Sequence, residues 1–291
     1  MTAIQAPVRG RALTGGDTGR RPSSRWWIYA LLTLGILLMV GPFLWMLLGS
    51  LKPEAEFLVS PPTFLPHAAT TDNYERLFGK LDFPRFFFNS SLIALVVTAG
   101  NVLFCPMLGY ALAKLEWRGK RLIMALVLAT LMVPAGITLI PNFVLMRNLG
   151  LVNTYPGLIL PLIASATATF LFRQFFLTVP DELCEAARLD GASPLRFFWS
   201  ILLPLSVSNI IALAIILFLF GWNQYLWPLL FTTDKDMATA VIALKNLIPR
   251  ADSEPAWNIA MSGALLTMLP PTLVILLLQR WFLKGLIDSS K

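Results

Sequence analysis

A run of about 20 predominantly apolar residues is long enough to cross a bilayer as a helix, and six such runs fill most of this 291-residue chain. They lie at roughly 26–48, 88–113, 122–145, 156–176, 197–231 and 261–283. In lipid every backbone polar group needs an internal partner, so runs of this kind fold as helices. The prediction is an all-α polytopic membrane protein with six transmembrane helices. Charged residues make up 13% of the chain and hydrophobic ones 56%, whereas soluble domains average about a quarter charged. The missing charge is missing from the six runs, which makes a lipid bilayer the solvent for most of the chain.

Some runs carry interruptions. The fifth is too long for one simple helix and predicts an interfacial lead-in and a broken end. Pro134 and Pro141 predict a kink or break in the third, since proline removes a helix hydrogen bond. Ser60-Pro61-Pro62-Thr63 predicts extended chain. Residues 1–25 are polar and rich in Gly and Arg, and read as a disordered cytoplasmic N-terminus ahead of a transmembrane domain at 26–291. Arg20-Arg21 before an apolar run suggests a secretory signal, but the run 26–48 exceeds a signal core and no small-residue cleavage site follows it. It reads as a retained span.

The net charge is +7. With the N-terminus in the cytoplasm, fifteen Lys and Arg fall on that side and eight on the other. Cationic loops stay in the cytoplasm, so both termini are placed there. No basic stripe carries the interleaved aromatics that would suit a nucleic-acid partner.

Ion-driven transporters rely on ionisable groups within their spans, and the middles of these six runs hold none. His67 lies in a predicted outer loop and reads as a solvated side chain. The sequence shows no G-x-x-x-x-G-K-[ST] phosphate loop, no H-E-x-x-H, no Cys/His cluster and no G-x-S-x-G elbow. Cys105 and Cys184 are expected to be free thiols. No catalytic residue, metal site or cofactor is expected in this chain. Energy for active transport would have to enter from another subunit.

The most informative stretch lies between the fourth and fifth runs, at about 178–204, TVPDELCEAARLDGASPLRFFWSILLP. It predicts two helices with a break. Thr178 is expected to cap the first, with Asp181 and Glu182 favoured in its opening turn by the helix dipole. Gly191 suits the left-handed position that ends it, and Ser193-Pro194 supplies the next cap and first helical residue. Leu183, Ala186, Ala187 and Asp190 fall at i, i+3, i+4 and i+7, so they are predicted to share one face. A plain helical hairpin stiffening two spans has the same local features.

Glu185-Ala186-Ala187, then Gly191, Ile201 and Leu203-Pro204 at this spacing, resemble the "EAA" loop of permease subunits in binding-protein-dependent ABC importers. The resemblance implies a cytoplasmic coupling hairpin that docks on a separate ATPase. By that resemblance Glu185, Ala186, Ala187, Asp190, Gly191 and Pro204 are expected to be its ATPase-coupling residues. Glu185 is expected to meet a basic residue of the ATPase, and Ala186 and Ala187 to lie against its surface. The implied partners are a homologous second permease, two copies of an ATP-binding subunit, which hold ATP and Mg, and an extracytoplasmic solute-binding protein. The implied location is the bacterial cytoplasmic membrane.

Residues 162–176, 190–194 and 221–230 also resemble the glycerol-3-phosphate-importing branch of the carbohydrate-importer permeases. Many sugar-importing members carry Glu where this chain has Gln224, and losing a carboxylate suits an anionic phosphate or phosphodiester cargo. Trp222, Asn223, Gln224, Asn101, Thr130 and Asn142 are the candidate pathway residues, although each could instead bond helices together. Arg147, Lys245 and Arg250 are candidate outer-side cations. Import of a neutral disaccharide, a passive channel and a membrane scaffold stay open as alternatives.

Overall fold

A computed structural model describes residues 26–57, 59–248 and 256–288. The expected disordered segment 1–25 and Arg250 lie outside the described residues. All regular structure among the described residues is helical: two short 3-10 turns, one π turn and fifteen α-helical segments. These are α1 (Trp26–Ser50), α2 (Glu54–Phe57), α3 (Asp72–Lys80), α4 (Phe83–Lys114), α5 (Lys120–Met132), α6 (Ala135–Asn148), α7 (Tyr155–Ile159), α8 (Ala166–Thr178), α9 (Asp181–Leu189), α10 (Pro194–Phe197), α11 (Leu203–Leu205), α12 (Val207–Trp222), α13 (Leu226–Phe231), α14 (Ala240–Leu247) and α15 (Trp257–Asp288).

The described residues up to Leu44 and those from Trp45 onward form separate units. The first contains most of α1, an apolar helix with a mean hydropathy of 2.3. The second is organised around α4, which packs against α8 and α12, while α12 packs in turn against α15. At 32 residues α4 is about 48 Å long, more than the ~30 Å hydrocarbon core needs. Small residues let these helices close up. A Cβ on Gly109 would sit 2.9 Å from the Phe172 Cβ and 3.0 Å from the Arg173 backbone nitrogen, so α4 and α8 meet backbone to backbone at that point.

Four helices are long and apolar enough to cross a membrane singly: α1, α4, the α12–α13 segment and α15. Two bent pairs bring the number to as many as six when each pair is counted as one span. The third predicted span is the one that departs most from expectation. It is α5 and α6 meeting at 105°, and neither arm alone reaches the 20 residues a crossing needs. Val133 is extended (φ −82°, ψ 118°) because the ring of Pro134 crowds out the helical conformation before it. Pro141 does not break the chain, and α6 runs through it. The fourth span bends by 40° between Leu162 and Ala166, where Ser165 caps α8 by accepting from the Ala168 N–H at 3.3 Å.

The fifth run divides as predicted. Its lead-in is α10, a wide π turn at Phe198–Leu202 and α11, followed by α12, a break, and α13. Pro204 has no N–H to continue an α ladder, and the preceding turn widens accordingly. The 60–63 segment is non-helical, also as predicted.

The core lies in three clusters. One joins Phe83, Phe86 and Ala94 of α4 to Phe218 and Trp222 of α12 and to α14 and α15. A second, at the other end of α4, joins Cys105 and Tyr110 to Phe172, Phe176, Ala187, Phe197 and Phe198. A third collects Met146, Leu158, Trp227 and Phe231. Buried amides fasten the elements. Asn73 donates to the Ser50 and Lys52 carbonyls, both at 2.8 Å, and accepts from Asn258 at 2.7 Å. This ties the last turn of α1 to α3 and α15.

Candidate functional site

The hairpin after α8 forms as local physics predicts, apart from its first cap. Thr178 belongs to α8 and its hydroxyl donates to the Phe175 carbonyl at 2.7 Å. Pro180 occupies the cap position of α9 and makes no side-chain cap bond. Asp181 and Glu182 do sit in the opening turn. Gly191 has φ +76°, and the Ala192 N–H donates to the Ala187 carbonyl at 2.8 Å while the Gly191 N–H donates to that of Arg188 at 3.0 Å. Those two bonds make a Schellman turn. Ser193 then accepts from the Arg196 N–H at 3.3 Å and caps α10.

One member of the predicted face of α9 turns inward, while Leu183, Ala186 and Asp190 are exposed. Ala187 is 5% exposed and packs into the chain's own second cluster. It therefore does not offer itself to an outside surface, as the sequence reading had it. Opposite Ala187, the residues Glu182, Glu185, Ala186 and Leu189 form an exposed stripe, again at i, i+3, i+4 and i+7. Leu189 is 88% exposed and Leu195, across the turn, 62%. Sequence reasoning passed over Leu189, although a leucine directly before an Asp-Gly turn, in register with two glutamates, is the signal that could have found it. Asp190 and Pro204 are both exposed.

The hairpin is tethered to the spans. Lys114, the last residue of α4, donates to the Asp181 carboxylate at 2.6 Å and to the Val179 carbonyl at 2.5 Å. Its side chain is 6% exposed and that of Asp181 is 79%. The Lys114 hydrogen bond and charge hold the Asp181 carboxyl below its ordinary value of 3.8. Tyr110, one turn earlier in α4, donates to the Pro194 carbonyl at 3.2 Å. So one end of one span holds both arms of the hairpin. Burial raises the Cys184 thiol above its usual range, and both cysteines are free.

The candidate pathway residues separate into two groups. Trp222 is 1% exposed, stacks on Phe218 with ring centroids 6.0 Å apart, and donates to the Thr267 carbonyl at 3.2 Å. Asn101 is 1% exposed and donates to the Val97 and Leu162 carbonyls, both at 2.8 Å. Both are fasteners, because their polar atoms are committed within the chain. Asn101 in particular satisfies a carbonyl freed at the α7–α8 bend. Asn223 is exposed and Gln224 half-buried, in the gap between α12 and α13. Asn142 is half-buried on α6, and the exposed Thr130 hydroxyl donates to the Val127 carbonyl at 2.7 Å. The gap matters because broken backbone at membrane depth is tolerated only where protein or a water-filled cavity covers it. Among the cations expected on the outer side, Lys245 lies 5.5 Å from the centre of the Tyr225 ring beside that gap, and Arg147 lies in the last turn of α6. No group of three or more metal-binding side chains occurs among the described residues.

Comparisons with known proteins bear on this arrangement. Residues 106–288, which contain α5 to α15, match the family described as "Binding-protein-dependent transport system inner membrane component". The chain is 40% identical over 279 residues to the sn-glycerol-3-phosphate transport system permease protein UgpE of Brucella suis biovar 1 (strain 1330), covering 94% of this chain and 99% of that protein. The protein of the same name from Agrobacterium fabrum (strain C58 / ATCC 33970) is 41% identical, with 93% and 99% covered. The one from Yersinia enterocolitica serotype O:8 / biotype 1B is 40% identical, with 90% and 96% covered. Among solved structures, a chain of a bacterial ABC transporter involved in the import of the acidic polysaccharide alginate superposes with a TM-score of 0.79 at 23% identity, covering 90% of this chain and 98% of that one. That likeness establishes a shared fold.

Proposed function

The chain belongs to the family of binding-protein-dependent transport-system inner membrane components, and from that premise we propose that it is the permease subunit of an ATP-driven importer of sn-glycerol-3-phosphate. The observation that carries the reading is the tethered hairpin. A short helix with an acidic and apolar outer face is held by Lys114 and Tyr110 at the end of α4, the central span. Such a lever can pass the movement of a docked partner straight into the transmembrane bundle. The cargo is argued from the relatives' names, and from a neutral Gln224 where a carboxylate would repel an anion.

In this reading the α9 end faces the cytoplasm, where its cations Lys114, Arg118, Lys120, Arg121, Arg173, Arg188 and Arg196 agree with the charge bias of cytoplasmic loops. ATP and Mg are bound by two copies of a separate ATPase, whose closure pushes on Glu185, Ala186 and Leu189. A homologous second permease supplies the other half of the pathway, and an extracytoplasmic binding protein delivers cargo to the opposite end. This chain carries no catalytic step. The test is uptake of radiolabelled glycerol-3-phosphate by vesicles holding the assembled complex, with and without internal ATP. ATP-dependent accumulation is expected. Accumulation of a disaccharide instead would reassign the cargo, and equal flux without ATP would replace the importer with a channel.

A further inference from the structure

From the groove beside the hairpin we infer that this chain holds a binding site for an anionic phospholipid, with the headgroup at the junction of α4, α5 and α8 and an acyl chain along α5. A cavity of about 710 Å³ lies there. Its polar rim is Lys120, Arg121 and Arg173, with Glu116 the one acid, and Trp117 stands beside them. The ion pairs found among the described residues are Arg76–Glu54 and Lys114–Asp181, so none of the three rim cations is neutralised by a carboxylate. Arg173 is positioned by its Nε, which donates to the Leu112 carbonyl at 3.3 Å, and Lys120 by the Ala113 and Leu115 carbonyls at 3.1 and 3.0 Å.

Below the rim the lining becomes apolar in a particular order. Arg121, Met124, Ala125 and Leu128 all line the cavity and fall at i, i+3, i+4 and i+7, one stripe of α5 headed by a cation. The stripe is about 10 Å long, enough for the upper part of an acyl chain. None of α5's residues is buried, so the chain's own packing leaves this stripe open. A tryptophan at headgroup level, cations just above an apolar stripe and an open cavity between spans together suit an amphiphile with a phosphate head. A soluble anion would use the rim and leave the stripe bare. The orientation within the membrane follows the reading given above, in which this end faces the cytoplasm.

Native mass spectrometry of the delipidated, assembled complex tests the inference without using transport as a readout. Dioleoyl phosphatidylglycerol is expected to bind at about tenfold lower concentration than dioleoyl phosphatidylcholine. Arg121→Gln with Arg173→Gln should erase most of that preference, each lost cation weakening headgroup binding several-fold. Arg121→Gln alone, at an exposed position, gives the same reading at smaller size if the double variant fails to assemble. Inorganic phosphate at millimolar concentration should not displace the lipid. Equal binding of the two lipids, a preference that survives both variants, displacement by phosphate, or a groove already filled by a partner chain would each overturn the site. Failure here leaves the ATP-dependent uptake result standing, so the two readings are tested apart.

Discussion

Gly191 is the residue on which the hairpin turns, and its cost is purely conformational. A Cβ there would meet no atom within 4 Å, yet φ is +76°, a region that costs most L-residues about 1–2 kcal/mol and asparagine less. Gly191→Val should therefore lower ATP-dependent uptake sharply, while Gly191→Asn retains most of it. Equal loss in both variants would mean that space and not backbone conformation matters. Asp181 supplies a second test, this time of pH. Its carboxyl is held below 3.8, so the pair with Lys114 contributes fully above that value and is lost as pH falls through the lowered folded-state value. Between pH 5 and 8 the contribution is constant, and screening by water and salt keeps it small at so exposed an acid. Asp181→Asn should therefore change uptake by one factor across that range. A changing ratio of variant to wild type in the pH–uptake curve would contradict the assignment.

At the scale of elements, two assemblies separate function from packing. The outward face of α9 can be altered without touching the core. Glu185→Ala and Leu189→Ser should uncouple ATP hydrolysis from uptake while shifting the stability of the chain by less than about 0.5 kcal/mol, as exposed substitutions do. Full uptake by both would remove this face from the coupling route. The break between α12 and α13 divides its own residues. Gln224→Glu should raise the KM for an anionic cargo with little change in the thermal unfolding midpoint. Trp222→Ala, at a fully packed site, should cost about 3 kcal/mol or more in stability. Uptake kinetics beside a melting curve distinguish these outcomes. Exchange of the two effects would put Trp222 in the pathway and Gln224 in the core.

For the whole molecule, the pattern is of a helical bundle with one tethered hairpin. α4 touches α8 and α12 along its length and carries the hairpin's tether at its end. Any displacement of α9 therefore reaches the central span directly. If a partner ATPase sits on the outer face of α9, Leu189→Cys in a background lacking Cys105 and Cys184 should form cross-links to that ATPase in the assembled complex. Glu56→Cys, near the opposite end, should not. Gel analysis after oxidation reads the result, and cross-linking at Glu56 alone would invert the proposed orientation.

The apolar runs, their number and the hairpin's chemistry were legible in sequence because they are local. In a bilayer about twenty apolar residues commit the backbone to helix, and Gly191, Ser193 and Pro194 each suit one position of a turn or cap. The lead-in and broken end of the fifth run were legible for the same reason, from its length alone. What sequence could not supply was any property set by neighbours distant in the chain. The 105° elbow at Val133–Pro134 and the smooth passage through Pro141 involve the same residue type, and the residue type by itself does not say which proline breaks a helix. Ala187 and Ala186 are indistinguishable in composition, and the second cluster alone buries one and leaves the other outside. Trp222 and Asn101 read equally as pathway residues or as helix fasteners, and their partners, 45 and 61 positions away, favour the second. A side chain's role in a membrane bundle depends on whether its polar atoms already have partners. In this protein, those partners are brought together only by the folded bundle.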